Sequence, residues 1–363
     1  MPRDGTRGKY VQFLGSDFLS KTVLLTGISG YIGLHCAREL LDAGFEVRGT
    51  IRDSKKVSVV QNALTLTDEE LKHLSFVVLD LTSDNGWDEA VQGCDYVMHV
   101  ASPFRIANPK IESDMIGPAV EGTERVLRAT QRANVKRIVI TGSIVSMMAS
   151  LRHGRFGPND WTDVTYPDLS TYVKSKTLAE RTAWDWVNSH KISHNNDLIV
   201  PELVVIAPGA VFGPPLGRDI SCESLSLLTK MLNGKIPMAP DFAFPMVDVR
   251  DVAKLHVKAL ILAEAAGERF IVAGVDPISF SDVAQILLNA GYKGPSNKKA
   301  PGWMIRLMGL FDREAKGMVS FLGMHLSADN SKTQQIFSWT PMPFEQSILE
   351  SARAIKKILE KTQ

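Results

Sequence analysis

Cysteine is scarce in this chain: Cys36, Cys94 and Cys222 are the only three among 363 residues. An odd number of widely spaced thiols argues against a disulfide framework or a clustered zinc site, and it fits buried, reduced thiols in a cytoplasmic protein. Net charge is equally small. Lys and Arg number 41 and Asp and Glu 40, giving +1, so no overall field draws the chain to nucleic acid or to an anionic membrane. A local basic spot can still bind a phosphate. No apolar run is long enough to span a bilayer. None of the eight histidines stands in an H-E-x-x-H pattern, so no metal is expected. Met1–Ser20 lacks the continuous apolar core of a signal peptide and reads as a mobile leader, 1–20. Internal repeats and low-complexity segments are also missing.

What remains is the composition of a globular chain, 44% hydrophobic and 22% charged, and long enough for a sizeable core. From Lys21 onward short apolar runs alternate with helical spacing. The runs Thr22–Thr26, Phe45–Ile51, Phe76–Leu79, Tyr96–Val100, Arg137–Thr141 and Leu198–Ile206 read as strands. Helical patterns at 31–43, 57–74, 87–91, 111–133 and 171–188 lie between them. Such alternation implies βαβ units and an α/β, doubly wound parallel sheet covered on both faces. Past Pro208 the pattern loosens into a turn-rich stretch. Helices follow near 223–232, 249–263, 281–290 and 343–359, with a short strand at 269–272. We therefore expect a nucleotide-binding domain over 21–210 and a smaller, mostly helical substrate lobe over 211–363, which returns to the first domain near 245–275.

Gly27, Gly30 and Gly33 occur in TGISGYIG, directly after the first strand and opening the first helix. Glycine suits each place for a steric reason: a tight turn, close approach of a pyrophosphate, and close packing of helix on sheet. Ser29, Tyr31 and Ile32 complete this turn, and the free N–H groups of the helix start favour an anion. A site for NAD usually has Asp or Glu at the end of the second strand, to hold the ribose 2′-hydroxyl. Here Arg52 stands there, followed by Lys55 and Lys56, with Asp53 the one discordant charge. Arg52 can pair with a 2′-phosphate, so the expected cofactor is NADP(H), with Lys56 assisting. Ligands of such sheets bind outside the carboxyl ends of the strands. That rule places Asp80 and Leu81 at the adenine edge and Val100, Ala101 and Ser102 near the nicotinamide ribose.

Tyr172 and Lys176 are four apart in YVKSK and so share one helix face. A tyrosine hydroxyl titrates near 10, and a neighbouring ammonium lowers that value. Ser143 ends the fifth strand at the same edge of the sheet and can bond a substrate carbonyl oxygen. Together the three suit hydride transfer, with Tyr172 the proton donor or acceptor, Lys176 its helper, and Ser143 orienting the carbonyl. A Y-x-x-x-K pair alone is common by chance; its order after the glycine turn and Ser143 gives it weight.

Several motifs in one order resemble the extended short-chain dehydrogenase/reductase family, and within it the dihydroflavonol reductase, cinnamoyl-CoA reductase and microbial aldehyde/ketone reductase group. They are TGISGYIG, VRGTIRD, DLTSDNGWDEAVQGCDYVMHVASP, YVKSKTLAE, APGAVFGPPL and VDVRDVAKLHVKAL. The resemblance implies a Rossmann-type sheet of about seven strands and a Ser143–Tyr172–Lys176 triad. It implies NADPH held by Arg52 and Lys56, with contacts from Pro208, Val211 and Ser224 around the nicotinamide. The activity it implies is reversible NADPH-dependent reduction of an aldehyde or ketone, in a monomer or homodimer that takes a small carbonyl or alcohol substrate. Two departures stand out. TGS replaces the usual TSS before the catalytic serine, and 150–168 matches only at Trp161 and Asp163. That segment and 214–245 should line the substrate pocket, so substrate identity does not transfer. Alternatives are a 3β-hydroxysteroid-type dehydrogenase, a nucleotide-sugar epimerase or dehydratase, which Arg52 disfavours, and a non-catalytic NADP(H)-sensing regulator, which the retained triad disfavours.

Overall fold

The computed structural model describes residues 21–102, 107–192 and 199–361; the leader expected over 1–20 lies outside them. Among these described residues, fifteen strands and fourteen α-helices follow in chain order. The first half contains β1 (Thr22–Thr26), α1 (Tyr31–Asp42), β2 (Glu46–Ile51), α2 (Lys56–Leu64), α3 (Asp68–Lys72), β3 (Leu74–Val78), α4 (Trp87–Val91), β4 (Tyr96–His99), α5 (Ser113–Arg132), β5 (Arg137–Thr141), α6 (Val145–Met148), β6 (His153–Phe156) and α7 (Thr171–Ile192). The second half contains β7 (Glu202–Pro208), β8 (Ala210–Phe212), α8 (Glu223–Leu232), β9 (Ala239–Pro240), β10 (Ala243–Phe244), β11 (Met246–Asp248), α9 (Val249–Ile261), β12 (Arg269–Val272), β13 (Ile278–Ser279), α10 (Phe280–Asn289), β14 (Lys299–Ala300), α11 (Gly302–Met308), α12 (Arg313–Val319), β15 (His325–Ala328), α13 (Ser331–Phe337) and α14 (Phe344–Glu360).

Seven strands form one parallel sheet in the order β12-β7-β5-β4-β1-β2-β3. Its strands alternate side chains between two apolar layers. Val23, Leu25, Met98, Val139, Val204 and Ile206 face the layer that α1 and α9 cover. Leu24, Val97, Ile138, Ile140, Leu203 and Val205 face the layer under α4, α5 and α7. Burial on both faces is why these runs read as continuously apolar. The strand order reverses between β1 and β4, which is where the ligand crevice of such sheets lies, beyond the carboxyl ends of the strands.

Two details depart from the sequence reading. The helix expected over 57–74 is broken: Thr65 takes φ +49°, and Thr67 starts α3 through a reciprocal capping box with Glu70. The third strand therefore begins at Leu74. The second half carries the expected helices at 223–232, 249–261, 280–289 and 344–360, and three of its strands join β6 of the first half in a four-stranded sheet, β13-β10-β15-β6. Its strands are two to four residues long, too short for alternation to reveal them. A second apolar core, with Phe156, Phe212, Leu228, Phe242, Leu287 and Ile348, lies beneath it.

Candidate active site

The glycine turn is set by backbone contact. Gly27 has φ +72°, and a Cβ there would lie 2.9 Å from Ala101 Cα. A Cβ on Gly33 would lie 2.1 Å from the Gly27 carbonyl oxygen, so α1 starts as close to β1 as backbone allows. Helix α1 has no side-chain cap and no acid in its first turn, which leaves its N–H groups facing the crevice without competition. Thr26 fixes the opposite wall: its hydroxyl accepts from the Val100 and Ala101 N–H groups at 3.1 Å and bonds His99 Nδ1 at 2.9 Å. His99 is buried, and burial followed by the nearby Lys176 charge pushes its pKa down to about 3.

Ser29, Gly30 and Ile32 stand at the start of α1, and Val100, Ala101 and Ser102 follow β4. The Tyr31 hydroxyl donates to the Gly213 carbonyl at 2.7 Å, tying the turn to the stretch after β8, so its side chain braces the crevice. Pro208 ends β7, where its carbonyl accepts from Ile144 N, and Val211 lies in β8. Ser224 sits in the first turn of α8, two residues from Cys222, which acts electrostatically on Tyr31. Arg52 is exposed just past β2, and no carboxylate among the described residues pairs with it. The discordant Asp53 is engaged locally, accepting from Lys55 N at 2.9 Å. Asp80 accepts from the N–H and hydroxyl of Thr82, and these bonds, more than Arg52, hold its carboxyl below the usual range. Leu81 packs toward Gly122 of α5, and Lys56 lies near Asp219. The uncapped helix start, the backbone-lined turn and an exposed unpaired guanidinium fit a dinucleotide carrying a 2′-phosphate.

At the end of β5 the Tyr172 hydroxyl reaches Ser143 Oγ at 3.5 Å. Burial pushes Tyr172 up to about 12, with the Ser143 bond opposing it; the net shift is opposite to the lowering expected from Lys176, because burial of the phenol dominates. Lys176, one turn further along α7, donates to the Thr141 carbonyl at 3.3 Å. Burial lowers its pKa to about 8, and Glu180 acts in the opposite direction. The Thr141 hydroxyl is held by His256 at 2.7 Å, whose other ring nitrogen donates to the Val252 carbonyl.

Sequence reasoning missed the shell behind this group. Glu180 is 3% exposed and bonds Arg269 Nε at 2.6 Å through one oxygen and the Ser146 hydroxyl through the other. Ser146 also lies 2.8 Å from the Ser143 carbonyl. Arg269 donates to the carbonyls of Pro158 and Asp160 and stacks on Trp161 at 3.8 Å. Trp161 and Thr162 thus support α6 and Arg269; Thr162 bonds Val145 O and Ala149 N. The spacing of Tyr172, Lys176 and Glu180 at steps of four was the available signal for Glu180; nothing local announced Arg269. His190, which has a second histidine four residues on at a position outside the described residues, stacks on Trp186 at 4.0 Å. Among the described residues no three His, Cys, Asp or Glu side chains are grouped to hold a metal, and no helix is long and apolar enough to cross a membrane.

The NAD dependent epimerase/dehydratase family matches residues 23–273. The chain belongs to that family, the extended short-chain dehydrogenases/reductases. Among similar proteins, the ketoreductase azaE of Aspergillus niger is 35% identical over 278 residues, 70% of this chain and 79% of that protein. A cinnamoyl-CoA reductase of Medicago truncatula is 32% identical over 284 residues, 76% of this chain and 82% of that protein. The crystal structure of yeast methylglyoxal/isovaleraldehyde reductase Gre2 complexed with NADPH superposes with a TM-score of 0.76 at 23% identity, covering 94% of this chain and 99% of that one. At that identity the likeness is one of fold. It means that the sheet of this extended reductase, from β1 through β12, and the lobe above it follow one common plan.

Proposed function

We propose that this chain is an NADPH-dependent carbonyl reductase, converting an aldehyde or ketone to an alcohol reversibly, of the dihydroflavonol-reductase-like type. As a member of its family it is an NADP-dependent oxidoreductase; the carbonyl substrate and the residue roles are our reading. The observation that carries it is the approach of the Tyr172 and Ser143 hydroxyls at the end of β5, one helical turn from Lys176. The names of its ketoreductase and cinnamoyl-CoA reductase relatives support it, and Arg52 at the end of β2 supports NADPH over NADH.

When bound, NADPH supplies a hydride to the carbonyl carbon. The chain does the rest. N–H groups at the start of α1 hold the pyrophosphate, and Arg52 with Lys56 holds the 2′-phosphate. Pro208, Val211 and Ser224 bound the nicotinamide end. Ser143 donates to the substrate oxygen and fixes its direction. Tyr172, a phenol that is protonated at neutral pH and that burial holds further in that form, gives its proton to that oxygen. The ammonium of Lys176 stabilises the phenolate left behind and holds the ribose hydroxyls.

The test is Tyr172→Phe. NADPH oxidation is followed against aldehydes, α-diketones, β-ketoesters and dihydroflavonols. We expect the variant to bind NADPH normally and to lose on the order of 10²–10⁴ in kcat, the range for a general acid. Full turnover by Tyr172→Phe would refute the assignment, and wild-type silence toward every carbonyl with NADPH bound would favour a sensing protein.

A further inference from the structure

We propose that the α11–α12 hairpin is a docking surface for an anionic phospholipid bilayer. Trp303, Leu307, Leu310 and Phe311 stand 68%, 52%, 73% and 87% exposed, and Met308 is 49% exposed beside them. They recur at helical steps along one stripe of α11 and the turn after it, while Ile305 faces inward against Ala300 and Leu322. A concentration of large apolar side chains on an otherwise polar surface marks a contact site.

The surrounding charge says what kind. Residues 293–316 contain six Lys or Arg and two carboxylates, hidden in a whole-chain net charge of +1. Both carboxylates are engaged: Asp312 caps α12 by accepting from Ala315 N at 2.7 Å, and Glu314 pairs with Lys230 at 2.8 Å. Among the described residues none of Lys298, Lys299, Arg313 and Lys316 has an ion-pair partner, and all four are exposed. An apolar stripe with Trp and Phe, fringed by free cations, matches the acyl boundary and anionic headgroups of a membrane.

The geometry favours this occupant over two others. A second copy joined by a two-fold axis would set the cationic fringe against itself. A protein ligand for apolar anchors usually offers a groove, or a groove receives it; side chains exposed by 68–87% protrude and suit a soft surface instead. The hairpin also touches the rim of the candidate active site. Asn108 N donates to Arg313 O, and Asn108 Oδ1 accepts from Thr171 N, next to Tyr172. The overall charge that argued against a membrane partner in the sequence does not describe this face.

The full chain is sedimented with vesicles of phosphatidylcholine alone and of phosphatidylcholine with phosphatidylserine, at low and high salt. We expect binding to the anionic vesicles to exceed that to neutral ones by on the order of tenfold and to weaken with salt. Leu310→Ser/Phe311→Ser should abolish it with unchanged melting temperature, and Lys298→Glu/Lys299→Glu should remove the preference for phosphatidylserine. Failure to sediment with either vesicle overturns the proposal, as does binding that survives the Leu310/Phe311 change. A dimer in sedimentation equilibrium that the same change dissociates, without vesicle binding, overturns it in favour of self-association.

Discussion

Glu180 lies one helical turn beyond Lys176, and its carboxylate is clamped 2.6 Å from Arg269 Nε. Lys176 is therefore not left alone in an apolar site: burial draws its proton off, and Glu180 holds it on. Glu180→Gln removes that counter-charge and should move the high-pH limb of kcat to lower pH, because Lys176 then loses its proton earlier. The single change also strands a buried guanidinium, a loss of roughly 3–5 kcal/mol in stability. Glu180→Gln/Arg269→Met should recover much of the stability and keep the shifted limb; Glu180→Asp should restore part of the pH profile. An unshifted limb in both the single and the double variant would count against the coupling.

Gly33→Ala and Gly30→Ala should separate packing from cofactor binding. At Gly33 the new methyl meets the Gly27 carbonyl oxygen at 2.1 Å, a backbone atom that cannot step aside. Overpacking of this kind costs about 1–3 kcal/mol, and the apoprotein should melt several degrees lower. At Gly30 the nearest atom, the Gly27 carbonyl oxygen, is 3.3 Å away, a tight contact but far milder than that at Gly33, so the apoprotein should melt only slightly lower while NADPH affinity falls. Calorimetry of the apoproteins with NADPH titration distinguishes the two outcomes.

Cofactor choice should turn on Arg52. Arg52→Ala removes a charge-assisted pair with the 2′-phosphate, worth about 1.5–3 kcal/mol, or roughly 10- to 150-fold in NADPH affinity. NADH affinity should change little. Equal losses for both cofactors would move the phosphate site elsewhere.

Acid should destabilise the fold through three buried histidines. His35, His99 and His256 have pKa values lowered by burial to about 4, 3 and 4. The unfolded chain binds these protons near 6.5, so it gains protons over the folded one as pH falls below that value. Stability is retained above about 6.5 and is lost as pH falls toward 4, by up to about 1.4 kcal/mol per pH unit for each histidine. Denaturant unfolding from pH 7 to 5 should show this slope, and His256→Gln should flatten it.

How much was legible depended on how local the cause is. The glycine turn, Arg52 and the Tyr172/Lys176 pair are set by neighbours within one βα unit or one helix, and the strands RIVIT and RFIV were read to the residue because both faces are buried. The break at Thr65 was missed although Thr67-Asp68-Glu69-Glu70 carries a capping box, because the apolar spacing runs on through it. The Glu180–Arg269 pair joins residues 89 apart, and only the packing of β12 beside β7 creates it. The same holds for the 303–311 stripe: its periodicity is in the sequence, but which face stays uncovered is decided by the lobe around it.

Strand β12 pairs along the outer side of β7, with Phe270 opposite Ile206 and Val272 opposite Pro208. During synthesis β7 leaves the ribosome long before its partner exists. Until residue 272 has emerged, a hydrophobic strand with a free row of backbone donors and acceptors is open to other nascent chains. A chain cut before β12 should therefore precipitate or stay bound to chaperones rather than fold as a smaller nucleotide-binding unit.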